Sequence, residues 1–332
     1  MGMLIDGNWY EDEKAAASLR EVSASGNFVR TESQFRNWIT KDGSAGPTGE
    51  AGYIAEPDRY HLYVAHTCPW AHRALIFLNL KKLNQIISVS YAIPGRHLGG
   101  WNFREDPEFP DCTPDYVNGF QYLHQAYTSS QNQYTGKVTV PTIWDKKTKQ
   151  VVNNESSEII RMLNSSFNSY TDSQIDYYPN ELHSEIDSIN DIVYNNINNG
   201  VYRCGFATSQ SAYDESVKLL FDSLDMIEKK LKEQPYLTGD IITESDWRLF
   251  PTLIRFDACY HGAFKCNLRM LRDYPNLTNY TRQLYQTPGI SNTFNFSYAK
   301  KNYYGIERIN PNGIVPLGPY NIEEFYNKPH DR

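Results

Sequence analysis

The sequence predicts an N-terminal α/β domain built on a mixed sheet, followed by a C-terminal domain that is all α. Three observations predict it. Between Tyr60 and Ile93 a strand-like run, a helix-like run and a second strand-like run succeed one another. Between Lys137 and Leu163 two further strand patterns precede a helix. Beyond about residue 170 strand signals fade and apolar residues recur at helical spacing.

Residues 1–50 carry turn formers and charge, ending in KDGSAGPTGEAG, and read as an extended arm. Tyr60 to Ala65 alternates like a strand. Pro69 to Leu83 puts Ala71, Ala74, Leu75, Leu78 and Leu83 near one helical face, and Ile86 to Ile93 is β-branched. Strand, crossover helix and strand make a βαβ unit with a parallel pair. The Gly-, Pro- and Tyr-rich stretch 94–135 reads as an insertion with a short helix near Gly119 to Tyr127. Lys137 to Asp145 and Gln150 to Asn153 form a hairpin pattern, closed by a helix over Glu155 to Leu163. The order βαβ, then ββα, is that of a thioredoxin-like domain. It spans 51–165, and 166–332 is the helical domain with a C-terminal tail. Tyr213 to Leu231 is strongly amphipathic. Thr243 and Asp246 have the form of a capping box opening a helix from Ser245 to about Tyr260.

Composition narrows the function classes. The chain has 332 residues, 40% apolar and 21% charged, with a net charge of 32 − 39 = −7. Such a chain is globular, and no basic field points to nucleic acid or anionic lipid. No apolar run approaches the roughly 18–20 residues of a membrane span. The start, MGMLIDGNWYEDEK, lacks the pattern of a signal or transit peptide, so the cytoplasm is the expected compartment. Five cysteines, Cys68, Cys112, Cys204, Cys259 and Cys266, show neither disulfide nor zinc spacing; they are expected to be reduced, and no metal is expected.

The chemistry concentrates at HLYVAHTCPWAHRALIF. Cys68 follows a strand and begins a helix, with Thr67 placed to cap and Pro69 in the tolerated first turn. Free N–H groups and the helix dipole favour an anion there, and such sites lower a thiol pKa from ~8.5 into the range ~3.5–7.5. His72 and Arg73 add positive charge. The plainer alternative is a buried, inert cysteine. Ala71 stands where many redox motifs place a second cysteine. A mixed disulfide at Cys68 then needs an external thiol, which in the cytosol is glutathione, or a distant one such as Cys112. Val140-Pro141 is either a cis-proline turn offering backbone groups to a peptide-like ligand or an edge-strand proline. Glu155-Ser156 suits an ammonium and a carboxylate together, although alone it is an ordinary helix start.

These residues resemble one family. Cys68-Pro69-Trp70-Ala71, Gly100-Trp101, Val138-Thr139-Val140-Pro141 and Asn154-Glu155-Ser156-Ser157-Glu158-Ile159-Ile160-Arg161-Met162 occur in its order. Asn199-Gly200-Val201-Tyr202, Leu237-Thr238-Gly239-Asp240 and Asp246-Trp247-Arg248-Leu249-Phe250 follow. From about Phe28 to Pro319 the chain resembles the glutathionyl-hydroquinone reductases, the Xi class of glutathione transferases, related to the omega class. The resemblance implies a glutathione transferase fold with glutathione as co-substrate. In it Cys68 attacks the sulfur of a glutathionyl-hydroquinone, hydroquinone leaves, and a second glutathione resolves the mixed disulfide. Trp101, Lys137, Val140, Pro141, Glu155 and Ser156 are then expected to bind glutathione. Tyr202 and Tyr303 are expected to face the aromatic group of the conjugate and assist catalysis, with Tyr194 and Tyr304 beside them. Relatives usually carry arginine where Lys137 and His124 stand, and lysine cannot grip a carboxylate bidentately. A homodimer is expected by analogy. The alternatives are an omega-like thioltransferase or dehydroascorbate reductase using the same Cys68, and a non-catalytic binding module of the same fold.

Overall fold

The structure, a computed structural model, describes residues 2–11, 22–95 and 98–332. These fall into two compact units. One is Thr31–Ile175 with the strands at the start of the chain; the other is Asp176–Arg332 with the stretch that ends at Arg30.

In the first unit, β1 (Met3–Ile5) and β2 (Asn8–Tyr10) form a hairpin in register Met3↔Tyr10 to Ile5↔Asn8. Asp6 and Gly7 join them, both at positive φ (47° and 77°), as a two-residue turn matched to strand twist requires. The central sheet comprises β3 (Tyr60–Val64), β4 (Ser88–Tyr91), β6 (Thr142–Asp145) and β7 (Gln150–Asn153), in the order β4-β3-β6-β7. β3 is parallel to β4 and antiparallel to β6, and β6 is antiparallel to β7. All five residues of β3 are buried, as a central strand covered on both faces demands. The parallel crossover is α1 (Pro69–Leu80), whose Ala71, Ala74, Leu75 and Leu78 are buried as their spacing predicts. The closing helix α3 (Ser156–Ser165) packs against α1. The insertion contributes α2 (Leu123–Ser130).

Two differences from the sequence reading concern this unit. The run Lys137 to Asp145 is not one strand. Gly136–Lys137 is β5, paired with β1 in a second sheet of order β2-β1-β5, and the main-sheet strand begins only at Thr142. Pro141, which lacks a ladder donor, stands in the break, and the Val140–Pro141 bond is cis. The first fifty residues, read as an arm, are shared between the units. Phe35 and Asn154 exchange contacts, Asn154 N–H to Phe35 O (3.1 Å) and Phe35 N–H to Asn154 Oδ1 (3.1 Å). Gly26 O, by contrast, accepts the Thr208 N–H (3.1 Å) within the second unit.

The second unit is helical: α4 (His183–Ile192), α5 (Asn199–Phe206), α6 (Gln210–Glu233), α7 (Glu244–Arg255), α8 (His261–Ala263), α9 (Pro275–Tyr285), α10 (Phe296–Tyr304) and α11 (Ile322–Asn327). Two helix joints are π-helical, Val193–Asn198 between α4 and α5 and Phe256–Tyr260 between α7 and α8. The capping box forms as the sequence predicts. Asp246, fully buried, accepts from Thr243 N–H (2.8 Å), Leu237 N–H (3.0 Å) and the Tyr280 hydroxyl (2.7 Å). Burial pushes its carboxyl above the usual aspartate range, and these donors work against that rise. Among the described residues no helix is long and apolar enough to cross a membrane.

Candidate active site

The turn after β3 sets the thiol. Helical dihedrals begin at Pro69, so Cys68 rather than Thr67 is the N-cap of α1, with φ −85° and ψ 122°. The Cys68 side chain makes no capping bond to its own helix. Its thiol donates to the Val140 carbonyl at 3.4 Å, which joins the helix start to the cis-proline turn. Cys68 is partly exposed, whereas Cys112, Cys204, Cys259 and Cys266 are buried, and none of the five forms a disulfide. Cys112 is tied to the Ala92 carbonyl (3.5 Å), and burial, with nearby Asp111 and Asp106, pushes its thiol up to about 12. A thiol held neutral and shielded in this way is not a resolving nucleophile.

Val140 and Pro141 lie outside the sheet ladder, and the turn is held from below by Tyr127 of α2. The Tyr127 hydroxyl donates to Thr139 O (3.1 Å) and accepts from Thr139 N–H (3.2 Å) and from Asn154 Nδ2 (3.0 Å). One phenol thus ties the V-T-V-P turn to the residue before Glu155. Sequence reasoning missed Tyr127, because nothing local marks a tyrosine in an insertion helix as a hub.

Glu155 is the N-cap of α3. Its carboxylate accepts from Ser157 N–H (3.0 Å), the Ser157 hydroxyl (2.9 Å) and the Ser33 hydroxyl (3.1 Å). Burial alone would raise this carboxyl; the Ser157 bonds, the Arg73 charge and Ser33 outweigh it and hold Glu155 below its ordinary value, so it is an anion at neutral pH. Ser156 is buried beside it and accepts from Arg73 Nη1 at 3.3 Å. Arg73, on α1, is itself buried, with its guanidinium 4.6 Å from the Trp70 ring centroid. The positive charge expected near the thiol helix is therefore present and bridges to α3.

Trp101 is half-buried, and its indole N–H has no hydrogen-bond partner among the described residues. Its carbonyl accepts Leu123 N–H (3.0 Å). Lys137 lies in β5 opposite Met3, with its ammonium shielded from solvent. His124 is layered between Trp9 (4.9 Å, 19°) and Tyr122 (5.5 Å, 8°). Burial lowers its pKa, with Glu11 opposing, so it does not replace a permanent cation. Among the described residues no group of three or more His, Cys, Asp or Glu is placed to hold a metal.

In the helical unit the structure brings Tyr202 and Tyr303 together. Their hydroxyls are 2.9 Å apart, and the Tyr303 hydroxyl is also 2.9 Å from that of Tyr260. Tyr260, not singled out from sequence, ends the π-helical turn and is fully buried. Burial, with nearby Tyr202 adding to it, raises both Tyr260 and Tyr303 well above the usual phenol value, so both stay protonated. Tyr202 is the half-exposed end of this chain; the Arg30 guanidinium lies 5.0 Å from its ring centroid. Tyr304 goes elsewhere, its hydroxyl meeting the Ala263 backbone beside Gly262. Tyr194 is exposed on the first π-helical turn.

A cysteine at the N-cap position of a helix, its thiol against a cis-proline turn, in a thioredoxin-like unit followed along the chain by an all-α unit, defines the glutathione transferase class. Family models agree: "Glutathione S-transferase, N-terminal domain" matches residues 67–166, and "Glutathione S-transferase, C-terminal domain" matches 210–283. Glutathionyl-hydroquinone reductase YqjG of Escherichia coli (strain K12) is 46% identical over 336 residues, 100% of this chain and 98% of that one. Its glutathione-bound structure aligns with a TM-score of 0.89 at 44% identity, covering 100% and 99% of the two chains. Glutathionyl-hydroquinone reductase PcpF of Sphingobium chlorophenolicum is 49% identical over 320 residues, 96% of each chain. A Xi-class transferase structure from Natrialba magadii aligns with a TM-score of 0.87 at 40% identity, over 100% and 96%. The chain belongs to the glutathione transferase family, in its Xi class of glutathionyl-hydroquinone reductases.

Proposed function

We propose that the chain reduces glutathionyl-hydroquinones to hydroquinone and oxidised glutathione, with Cys68 as nucleophile. The observation that carries this reading is the Cys68 thiol at the start of α1, 3.4 Å from the carbonyl of Val140 in the cis-proline turn, partly exposed where the other four cysteines are buried. The Cys68 thiolate attacks the sulfur of the conjugate. The carbon–sulfur bond breaks, its electron pair passes to the ring, and the ring carbon takes a proton. Hydroquinone leaves, and Cys68 is held as a mixed disulfide with glutathione. The thiolate of a second glutathione attacks this disulfide, oxidised glutathione leaves, and Cys68 regains its thiolate.

The site residues divide the remaining work. Val140 and Pro141 present backbone groups to the cysteinyl part of glutathione. Glu155 takes the γ-glutamyl ammonium, and Ser156 with the α3 N-terminus takes its carboxylate. The unmet indole N–H of Trp101 is a donor for a glutathione oxygen, and Lys137 is assigned the glycyl carboxylate as a point charge. In the phenol chain, if Tyr260 donates to Tyr303 and Tyr303 to Tyr202, the Tyr202 proton is left to offer a quinol oxygen. Tyr194 and Tyr304 are assigned contacts to the aromatic part of the conjugate. Aromatic glutathione conjugates as substrates, a homodimer as the working assembly and the cytoplasm as its place belong to the same reading.

The test incubates the protein with a glutathionyl-hydroquinone, without free glutathione, and maps adducts by mass spectrometry. The expected result is one glutathione on Cys68 per hydroquinone released, with neither in Cys68→Ala, while that variant still binds glutathione. Full turnover by Cys68→Ala would sink the mechanism. An adduct without hydroquinone release would favour a thioltransferase instead.

A further inference from the structure

We propose that the N-terminal hairpin β1–β2 is a brace for the glutathione site, and that Trp9 is a positioning residue acting through the Gly99–Trp101 segment. This rests on the reading of Trp101 as a glutathione contact.

The segment that carries Trp101 has no regular structure, and both glycines before the tryptophan lie at positive φ, 89° and 83°. Left to itself such a segment samples many conformations. The hairpin removes that freedom at two points. The Trp9 indole lies against Gly100 so closely that a Cβ there would sit 2.8 Å from its ring, and the same indole stacks on His124, which stacks on Tyr122. The Trp9 indole N–H donates to Glu11 Oε1 (2.8 Å), and that oxygen also accepts the Gly99 N–H. Beyond Trp101 the segment is held by Leu123 N–H on the Trp101 carbonyl and by the Asn102–Tyr122 bridge. Trp101 is therefore fixed from the hairpin on one side and from α2 on the other.

The hairpin is in turn anchored. Met3 and Leu4 are fully buried and pair with Lys137 and Gly136 of β5, the strand that leads to Val140. Gly7 N–H donates to Tyr134 O (3.0 Å), and Asp6 N–H to Thr135 Oγ1 (2.9 Å). Residues at the very start of the chain thus grip both the Trp101 segment and the approach to the cis-proline turn. Because the ordering is done before glutathione arrives, binding does not have to supply it.

The experiment titrates reduced glutathione calorimetrically into the full-length protein, Trp9→Ala, Trp9→Phe, Trp101→Ala and the Trp9→Ala/Trp101→Ala double variant. Steady-state kinetics with a glutathionyl-hydroquinone accompany it. Trp9→Ala is expected to weaken glutathione binding roughly tenfold and to raise its KM in parallel, with kcat at saturation within about twofold. Trp9→Phe, which keeps a stacking ring, restores most of the affinity. In the Trp101→Ala background Trp9→Ala adds little, because its effect runs through Trp101. If Trp101→Ala weakens binding and Trp9→Ala does not, the brace is refuted and the role of Trp101 stands. If Trp101→Ala leaves affinity unchanged, both fall. A Trp9→Ala variant that loses kcat and thermal midpoint with unaltered affinity also overturns the proposal, since Trp9 is then only a stabiliser of the fold.

Discussion

The Tyr303 hydroxyl sits between those of Tyr202 and Tyr260, 2.9 Å from each, and can donate its one proton to only one of them. Tyr260 is buried deepest and has no exposed side of its own. The proposed relay has it donate to Tyr303 and so turn the Tyr303 proton toward Tyr202. Tyr260→Phe is expected to lower kcat for a glutathionyl-hydroquinone ~3–10-fold, a fraction of what general acid assistance supplies. The KM for glutathione should not move, since the change lies in the phenol chain. A steady-state comparison at saturating glutathione checks both numbers, and an unchanged kcat removes Tyr260 from the relay. Arg73 shows another economy at this scale. Placed one turn into the thiol helix, it binds Ser156, stacks on Trp70 and lowers Glu155.

At the scale of elements, the start of α7 is the best-determined junction in the helical unit. Asp246 gathers two backbone N–H groups and one phenol at full burial. Asp246→Ala leaves those donors buried and unpaired, at an expected cost of ~3–5 kcal/mol, read from urea denaturation. A loss below ~1 kcal/mol would mean that water replaces the carboxylate there. This junction was legible in the sequence because a capping box is local: Thr243 and Asp246 are three residues apart. Cys68, Val140-Pro141 and Glu155-Ser156 were legible for the same reason, each being a strand-to-helix or strand-to-turn signature. What escaped was contact between remote residues. Tyr127 meets Thr139 and Asn154, Tyr260 meets Tyr303, and Trp9 meets His124, pairings for which periodicity carries no signal. The break at Val138–Pro141 was misread as continuous strand because β-branched residues on both sides of a turn look alike whether or not they share a ladder.

At the scale of the whole molecule, acid should be felt through His61. It is buried in β3 with its two ring nitrogens on the Ser88 (2.7 Å) and Ser90 (3.0 Å) hydroxyls, which serve a neutral imidazole. Burial is the main cause pulling its pKa down to about 4, with Asp115 opposing. The unfolded chain takes up this proton near pH 6.5 and the folded one only near 4, so stability is complete above 6.5 and is lost as pH falls toward 4. The contribution is up to ~3 kcal/mol. Asp246 and Asp257, whose carboxyls burial raises, act in the opposite sense, so the comparison is made against His61→Gln rather than in absolute terms. Unfolding free energies at pH 7, 5.5 and 4.5 should converge between the two proteins as pH falls; a constant gap would assign the acid response elsewhere.

The π-helical turn at Phe256–Tyr260 has a consequence for how this chain can change over generations. Such a turn amounts to one residue more than an α-helix needs. Loss of a single codon inside the turn ahead of Tyr260 would let it revert to α-helix and leave the side chains beyond it in register. The same loss in the regular α7 before it would swing every following side chain by about 100° around its axis and take Tyr260 from its place beside Tyr303. The turn is thus a place where this helix can change length without dismantling the phenol chain.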